Sequence, residues 1–318
     1  MNYRSVNDLT RMVLNNLDKI PCDIDLIVGV PRSGMLLASY ISLMLNKPLA
    51  DIDGYMKNSI MQTGYTKNTS DLVKDIDECR KVLIVEDSVL SGKSIMECKK
   101  KIEKISRDVD HIFLAAYVLH SSKDLVDIYF EIVDAPRLFE WNVFHQPSAL
   151  KKMCFDIDGV LCVDPTSEQN DDGEKYRNFI LNAPTKIIPK GKIGYIITSR
   201  LEKYRNETEQ WLKGNGIEYE ELIMLNATAE ERTKNNLHVS FKAQEYSKCG
   251  AILFVESETR QAYQINQRTK KPVLCIENNT YYDGGIKYKI QYESFSRIKG
   301  FLRRFKIIRY IYSLVRKK

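Results

Sequence analysis

The sequence predicts an α/β chain of two domains, each a mainly parallel sheet flanked by helices, followed by a C-terminal basic amphipathic helix. Three observations carry this. Apolar runs of strand length are followed by Gly-containing or polar turns and helical patterns, and this order starts twice, near residue 24 and again near 151. The 318 residues suit about two domains of ordinary size. A hydrophobic content of 43% with 28% charged residues supplies apolar material for two cores.

The elements follow in order. Residues 24–30 (IDLIVGV), 82–86 (VLIVE) and 111–118 (HIFLAAYV) read as buried strands, with helices at about 35–46 and 93–105. Between them the polar stretch 55–71 has no period and reads as a long loop of the kind that closes over a site. The second series has strands at 153–156, 193–197, 251–255 and 274–276, and helices near 202–213, 238–248 and 259–268. An acidic, polar segment, 164–178, reads as a flap over a site. The expected domains are 1–150 and 151–290, with a tail at 291–318.

Composition excludes several classes. The seven cysteines are scattered without a CxxC pair, which argues against a zinc or disulfide framework and for a reducing, cytoplasmic setting. The first residues lack the apolar run of a signal peptide, and no uninterrupted apolar stretch is long enough to span a membrane. The net charge of +6 belongs to the tail. Residues 297–318 hold nine Lys/Arg and no acid, and the remainder has 39 basic against 42 acidic residues. A general nucleic-acid surface on the domains is not expected. In the tail, residues 298, 301, 302, 305, 308, 312 and 315 form an apolar stripe among basic residues. That pattern suits peripheral contact with the inner face of the cytoplasmic membrane, or docking on the protein body or on a partner enzyme.

Two motifs carry chemistry. In 82–94, VLIVEDSVLSGKS, a buried strand delivers Glu86 and Asp87 to its C-terminal edge, where adjacent carboxylates accept hydrogen bonds from ribose hydroxyls. The turn Ser91-Gly92-Lys93-Ser94 opens a helix whose N–H groups make an anion site for a 5-phosphate. A second turn, Gly29 to Gly34, offers Arg32, Ser33 and Gly34 after a strand and before a helix. In the other half, Asp156-Ile157-Asp158-Gly159-Val160 places two aspartates on one side of a strand end.

The first motif resembles the PRPP-binding motif of type I phosphoribosyltransferases, over about residues 20–120. The resemblance implies that Arg32 and its loop take the pyrophosphate, with Mg2+ accompanying PRPP, and that a mobile loop lies where Lys57, Tyr65 and Lys67 fall. Purine-salvage members carry a third acid where this chain has Leu90, which speaks against a nucleobase acceptor. In PRLFEWNVFHQP (136–147), Trp141 is expected to stack on an acceptor sugar and Glu140 or His145 to act as base; the same run also suits a hydrophobic latch between domains.

The second motif resembles the haloacid-dehalogenase (HAD) superfamily signature. The resemblance implies Asp156 as nucleophile, Asp158 as general acid and base, Thr198 on the phosphate, and Lys242 (with Lys234 as runner-up) balancing charge. Mg2+ would be held by Asp156, Asp158 and Glu256, with Glu258 assisting. The whole chain resembles bacterial two-domain proteins that pair a phosphoribosyltransferase with a HAD phosphatase. That resemblance implies transfer of 5-phosphoribose from PRPP to a lipid-linked glycan hydroxyl, then removal of the 5-phosphate to leave β-ribofuranose in a surface polysaccharide, with other glycosyltransferases as partners. A nucleobase phosphoribosyltransferase fused to a nucleotide 5′-phosphatase is the alternative.

Overall fold

The computed structural model describes residues 1–61, 72–104 and 108–283. The chain divides into two units, Met1–Trp141 and the residues from Asn142 onward. The division falls upstream of the expected 150/151 for a packing reason. Val143 and Leu150 are buried, Phe144 packs its ring 6.2 Å from that of Phe155, and its carbonyl accepts the Lys190 N–H at 3.0 Å. The expected loop residues 62–71, with Tyr65 and Lys67, and the tail lie outside the described residues.

The first unit runs β1 (Asn2–Arg4), α1 (Val6–Leu14), β2 (Leu26–Gly29), α2 (Ser33–Leu45), β3 (Leu49–Asp51), α3 (Ile52–Met56), β4 (Lys81–Val89), α4 (Lys93–Ile102), β5 (Asp110–Val118), β6 (Ile128–Ile132) and β7 (Arg137–Phe139). Its main sheet has the order β3-β2-β4-β5-β6, and every pair in it is parallel. Strand β4 shows why the run at 82–86 forms a central strand. Val82 and Ile84 enter the core under α4, whereas Leu83 and Val85 enter the core under α2. A strand covered on both faces needs a continuous apolar run rather than alternation. Each such fully buried side chain contributes about 1.5–3 kcal/mol. The strand continues to Val89, so Glu86 and Asp87 sit within it. A separate parallel ladder joins β1 to β7.

The second unit runs α5 (Pro147–Leu150), β8 (Met153–Phe155), α6 (Glu174–Asn182), β9 (Ile193–Leu201), α7 (Arg205–Gly214), β10 (Tyr219–Leu225), α8 (Ala229–Lys234), α9 (Leu237–Lys248), β11 (Leu253–Glu256), α10 (Thr259–Thr269), β12 (Val273–Cys275) and β13 (Thr280–Tyr282). The sheet order is β10-β9-β8-β11-β12-β13. Only β12 and β13 pair antiparallel. Helices α9 and α10 bury Val239, Ala243, Tyr246, Ala262 and Ile265 against Cys154, Ile197 and Phe254.

Two sequence expectations are corrected. Residues 52–56 form α3, and Tyr55 is fully buried, so the irregular stretch begins after it. Within 164–178, residues from Glu174 belong to α6, which buries Tyr176, Phe179 and Ile180.

Strand order fixes where each site lies. In the first sheet the chain steps from β2 outward to β3, then returns across β2 to β4 and proceeds the other way. In the second it steps from β8 through β9 to β10, then returns to β11 on the opposite side. At such a reversal the connections diverge and leave a crevice at the strands' C-terminal ends. Arg32 and Ser33 follow β2 and Glu86 and Asp87 lie in the C-terminal half of β4; Asp156 follows β8 and Glu256 ends β11. Both candidate sites fall at a reversal point.

Candidate active sites

In the first unit, the side chains after β2 and on β4 converge. Asp87 is buried; its Oδ1 accepts the Ser33 hydroxyl at 2.7 Å and its Oδ2 accepts the Trp141 indole N–H at 2.8 Å. Glu86 is also buried, and its Oε2 accepts the Ser94 hydroxyl at 2.9 Å. The Pro31–Arg32 peptide is cis, and Arg32 is exposed. Gly34 sits tight against β4: a Cβ there would lie 2.7 Å from the Val85 carbonyl oxygen. Gly92 has φ +76° and caps α4; a Cβ would meet Leu125 at 2.2 Å. Both glycines therefore answer to geometry that a side chain would break. Ser91, Lys93 and Ser94 are exposed at the start of α4, with the Ser91 hydroxyl accepting the Lys93 N–H at 3.4 Å. Leu90 is 54% exposed, an aliphatic side chain left beside the anion turn.

Burial, then the hydrogen bond and charge of Asp87, pushes the Glu86 carboxyl from its ordinary 4.5 up to about 8. An acid with a raised folded value holds a proton in the native state that the unfolded chain has released. Stability contributed in this way is full at acidic pH and declines as pH climbs from about 4.5 to about 8. Glu86→Gln removes the titration and keeps an acceptor for Ser94. Urea unfolding should show the wild type losing stability relative to this variant across that window, by about 3–5 kcal/mol at roughly 1.4 kcal/mol per pK unit. Parallel pH profiles for the two proteins would contradict the assignment.

The three expected acceptor residues do not form one group. Trp141 belongs to the first site through Asp87. The Glu140 carboxylate accepts the Val6 N–H at 2.8 Å, at the N-terminus of α1, a position that suits a negative charge. It is thus engaged in holding α1. His145 is exposed in the second unit. Sequence reading missed the surroundings of Trp141. Its ring stacks on Phe139 (4.9 Å, 6°), which stacks on Tyr117 (5.2 Å, 21°). Alternation along β7 was the available signal, since it puts Arg137 and Phe139 on one face.

In the second unit, Asp156 is buried; its Oδ1 accepts the Ile157 N–H at 2.8 Å and its Oδ2 accepts the Lys242 ammonium at 2.6 Å. Lys242, also buried, reaches Glu256 Oε2 at 2.8 Å and Gln261 Oε1 at 3.1 Å. Burial pushes Asp156 up to about 6, against the pull of Lys242. Thr198 is buried, and its hydroxyl oxygen accepts the Arg200 N–H at 3.3 Å. Lys234 and Glu258 are exposed; Lys242, not Lys234, pairs with Asp156.

The residue that sequence reading missed is Arg200, whose side chain is fully buried. It grips Asp158 in a fork, Nη2 to Oδ1 at 2.6 Å and Nε to Oδ2 at 3.1 Å. The Tyr176 hydroxyl adds a contact to Oδ2 at 3.4 Å. Burial alone would raise the Asp158 carboxyl, but the Arg200 charge and hydrogen bonds overcome it and hold the value low. Asp158 therefore rests ionised, ready to accept a proton and needing release from Arg200 to donate one.

The expected Mg2+ ligands are tested by this donor set. Among the described residues no group of three His, Cys, Asp or Glu side chains converges on a metal position. Both side-chain oxygens of Asp158 are engaged by Arg200. Asp156 and Glu256 fit a cation: two buried carboxylates share a single ammonium and leave net negative charge in a desolvated place.

No protein-family model matches the chain. Two curated relatives are similar to part of it. The orotate phosphoribosyltransferase of Sulfolobus acidocaldarius is 32% identical over 87 residues, covering 27% of this chain and 40% of that protein. The orotate phosphoribosyltransferase of Staphylothermus marinus is 28% identical over 112 residues, covering 35% of this chain and 49% of that protein. The chain thus spans half or less of the length of these relatives. Among solved structures, the xanthine-guanine-hypoxanthine phosphoribosyltransferase of Helicobacter pylori superposes with a TM-score of 0.34 at 18% identity, over 45% of this chain and 92% of that one. The purine phosphoribosyltransferase of Pyrococcus horikoshii gives a TM-score of 0.34 at 19% identity, over 44% and 94%.

Proposed function

We propose that the chain transfers 5-phosphoribose from PRPP to a glycan hydroxyl in its first unit and removes the 5-phosphate in its second. The observation that carries this reading is the pairing, in one chain, of the buried Glu86–Asp87 carboxylates with a buried Asp156–Lys242–Glu256 group, each at the reversal point of its own sheet. The first unit's sequence similarity to orotate phosphoribosyltransferases supports the donor assignment.

In the first step Glu86 and Asp87 accept the ribose hydroxyls, the turn Ser91–Ser94 takes the 5-phosphate, and Arg32 faces the pyrophosphate with Ser33 and Gly34. A bond forms between the acceptor oxygen and C1 as the bond from C1 to pyrophosphate breaks, and the acceptor proton leaves with a base. In the second, Asp158, once released from Arg200 and protonated from solvent, gives its proton to the sugar oxygen as an Asp156 oxygen attacks phosphorus and the bond from phosphorus to that sugar oxygen breaks. Asp158 then takes a proton from the water that releases inorganic phosphate. Thr198 and Lys242 bind phosphate oxygens and balance charge. Magnesium at Asp156 and Glu256 would lower the repulsion between nucleophile and phosphate. Installing a phosphate and then stripping it is futile for a nucleotide but productive for a glycan that requires bare ribofuranose. A lipid-linked acceptor would bring the chain to the inner membrane face, with the basic tail 291–318 as the contact.

The similarity to orotate phosphoribosyltransferases favours a second reading, a nucleobase phosphoribosyltransferase joined to a nucleotide phosphatase. Pyrophosphate release from PRPP separates the two: glycan acceptors should support it, while orotate, hypoxanthine and guanine should not. Asp87→Ala should reduce release at least 100-fold, to the order expected when a transition-state contact is lost. Turnover with a free base, or an undiminished Asp87→Ala rate, would overturn the reading.

A further inference from the structure

Arg137 carries an unexplained polar group. Its Nη1 is buried and has no hydrogen-bond partner among the described residues, although buried polar atoms of native proteins are nearly all paired. The guanidinium lies 5.3 Å from the centre of the Phe139 ring, the ring that stacks on Trp141. Trp141 in turn donates to Asp87. The hydroxyl of Tyr117, on the other neighbour of Phe139, is likewise buried and unpartnered. Burial weakens the hold of Arg137 on its proton, and the charges of Asp87 and then Asp134 oppose that effect, so the guanidinium lies within the field of the ribose-binding acid and of Asp134.

A half-buried guanidinium with an enclosed, unpaired N–H group is costly, and a planar oxyanion is the group that satisfies it through paired N–H bonds. The phosphates of the donor are met elsewhere, at the turns that follow β2 and β4. Arg137 stands instead on β7, in the separate ladder with β1. Resting on the transfer reading above, we propose that Arg137 determines acceptor specificity, and that the acceptor carries an oxyanion, a carboxylate or a phosphate, close to the hydroxyl that receives ribose. The aromatic stack then serves as the wall along which the sugar lies, with Arg137 marking its charged end.

The test is calorimetric titration of the full chain with three glycosides that differ only at C6: methyl glucoside, methyl glucuronide and methyl glucoside 6-phosphate. PRPP is titrated separately. At least one charged glycoside should bind about ten-fold or more tightly than the neutral one, and the tighter of the two identifies the source of the oxyanion. Arg137→Gln should abolish that preference with PRPP affinity retained, and Arg137→Lys should restore part of it. Equal binding of the three glycosides, or a loss of PRPP affinity in Arg137→Gln that matches the loss for the charged glycoside, overturns the assignment. If the wild type fails to bind PRPP, the phosphoribosyl-transfer reading fails, and this inference falls with it.

Discussion

Asp156→Asn is expected to halt the chain midway, with transfer intact and the product still bearing its 5-phosphate. The substitution replaces the carboxylate that Lys242 holds at 2.6 Å with an amide, and an amide is no nucleophile toward phosphorus. Loss of an attacking group should cost on the order of 10⁴-fold or more in phosphate release. Folding should survive, because Lys242 keeps Glu256 at 2.8 Å and Gln261 at 3.1 Å. Two measurements check this. Phosphate release from ribose 5-phosphate should vanish, and mass spectrometry of glycan treated with PRPP should show the phosphoribosyl adduct in place of the ribosyl one. A variant that still yields bare ribosyl glycan at the wild-type rate would remove Asp156 from the mechanism.

Arg200→Met carries the largest expected effect on stability. The guanidinium is fully enclosed and forms the fork on Asp158. Methionine fills much of the volume and leaves that carboxylate desolvated without its partner. Breaking a buried pair from one side costs about 3–5 kcal/mol. Trp211 gives a local probe, since its indole is buried in the second unit and donates to the Ala183 carbonyl at 2.8 Å. Urea unfolding read from Trp211 fluorescence, in a Trp141→Phe background, should show the midpoint shifted down accordingly. The double variant Arg200→Met with Asp158→Asn should recover much of the loss. An unchanged midpoint in the single variant would mean that water or a neighbour replaces the guanidinium.

Continuous apolar runs were the most legible part of the chain. Strands β2, β4, β5, β8 and β11 could be read because covering on both faces forces unbroken hydrophobicity. Strands β1, β3 and β7 have three residues each and half-exposed positions, too few to show a period. Helix α1 announces itself mainly by a cap: Ser5 and Asp8 bond each other's backbone N–H groups. The carboxylates were legible for a different reason. Glu86, Asp87, Asp156 and Glu256 stand at or beside the ends of apolar runs, where a charged residue needs a chemical explanation. Arg200 and Arg137 escaped notice because arginine is ordinarily a surface residue, and only packing reveals that these are enclosed. Sequence offers Glu140 or His145 as a base, and only three-dimensional proximity shows that Glu140 also holds the Val6 N–H.

The hydrogen bonds from Ser33 and Trp141 to Asp87 reach beyond local geometry. They orient the carboxylate before any sugar arrives, so the rotational freedom that a ribose would otherwise have to quench is surrendered when the chain folds. The indole comes from the last residue of the first unit, 54 positions along the chain from the acid that it orients. Recognition at this carboxylate is consequently available only to a chain that has completed the unit, and a truncated or half-folded first unit would hold the acid loosely. Ligand grip and completeness of folding are thereby reported by the same bond.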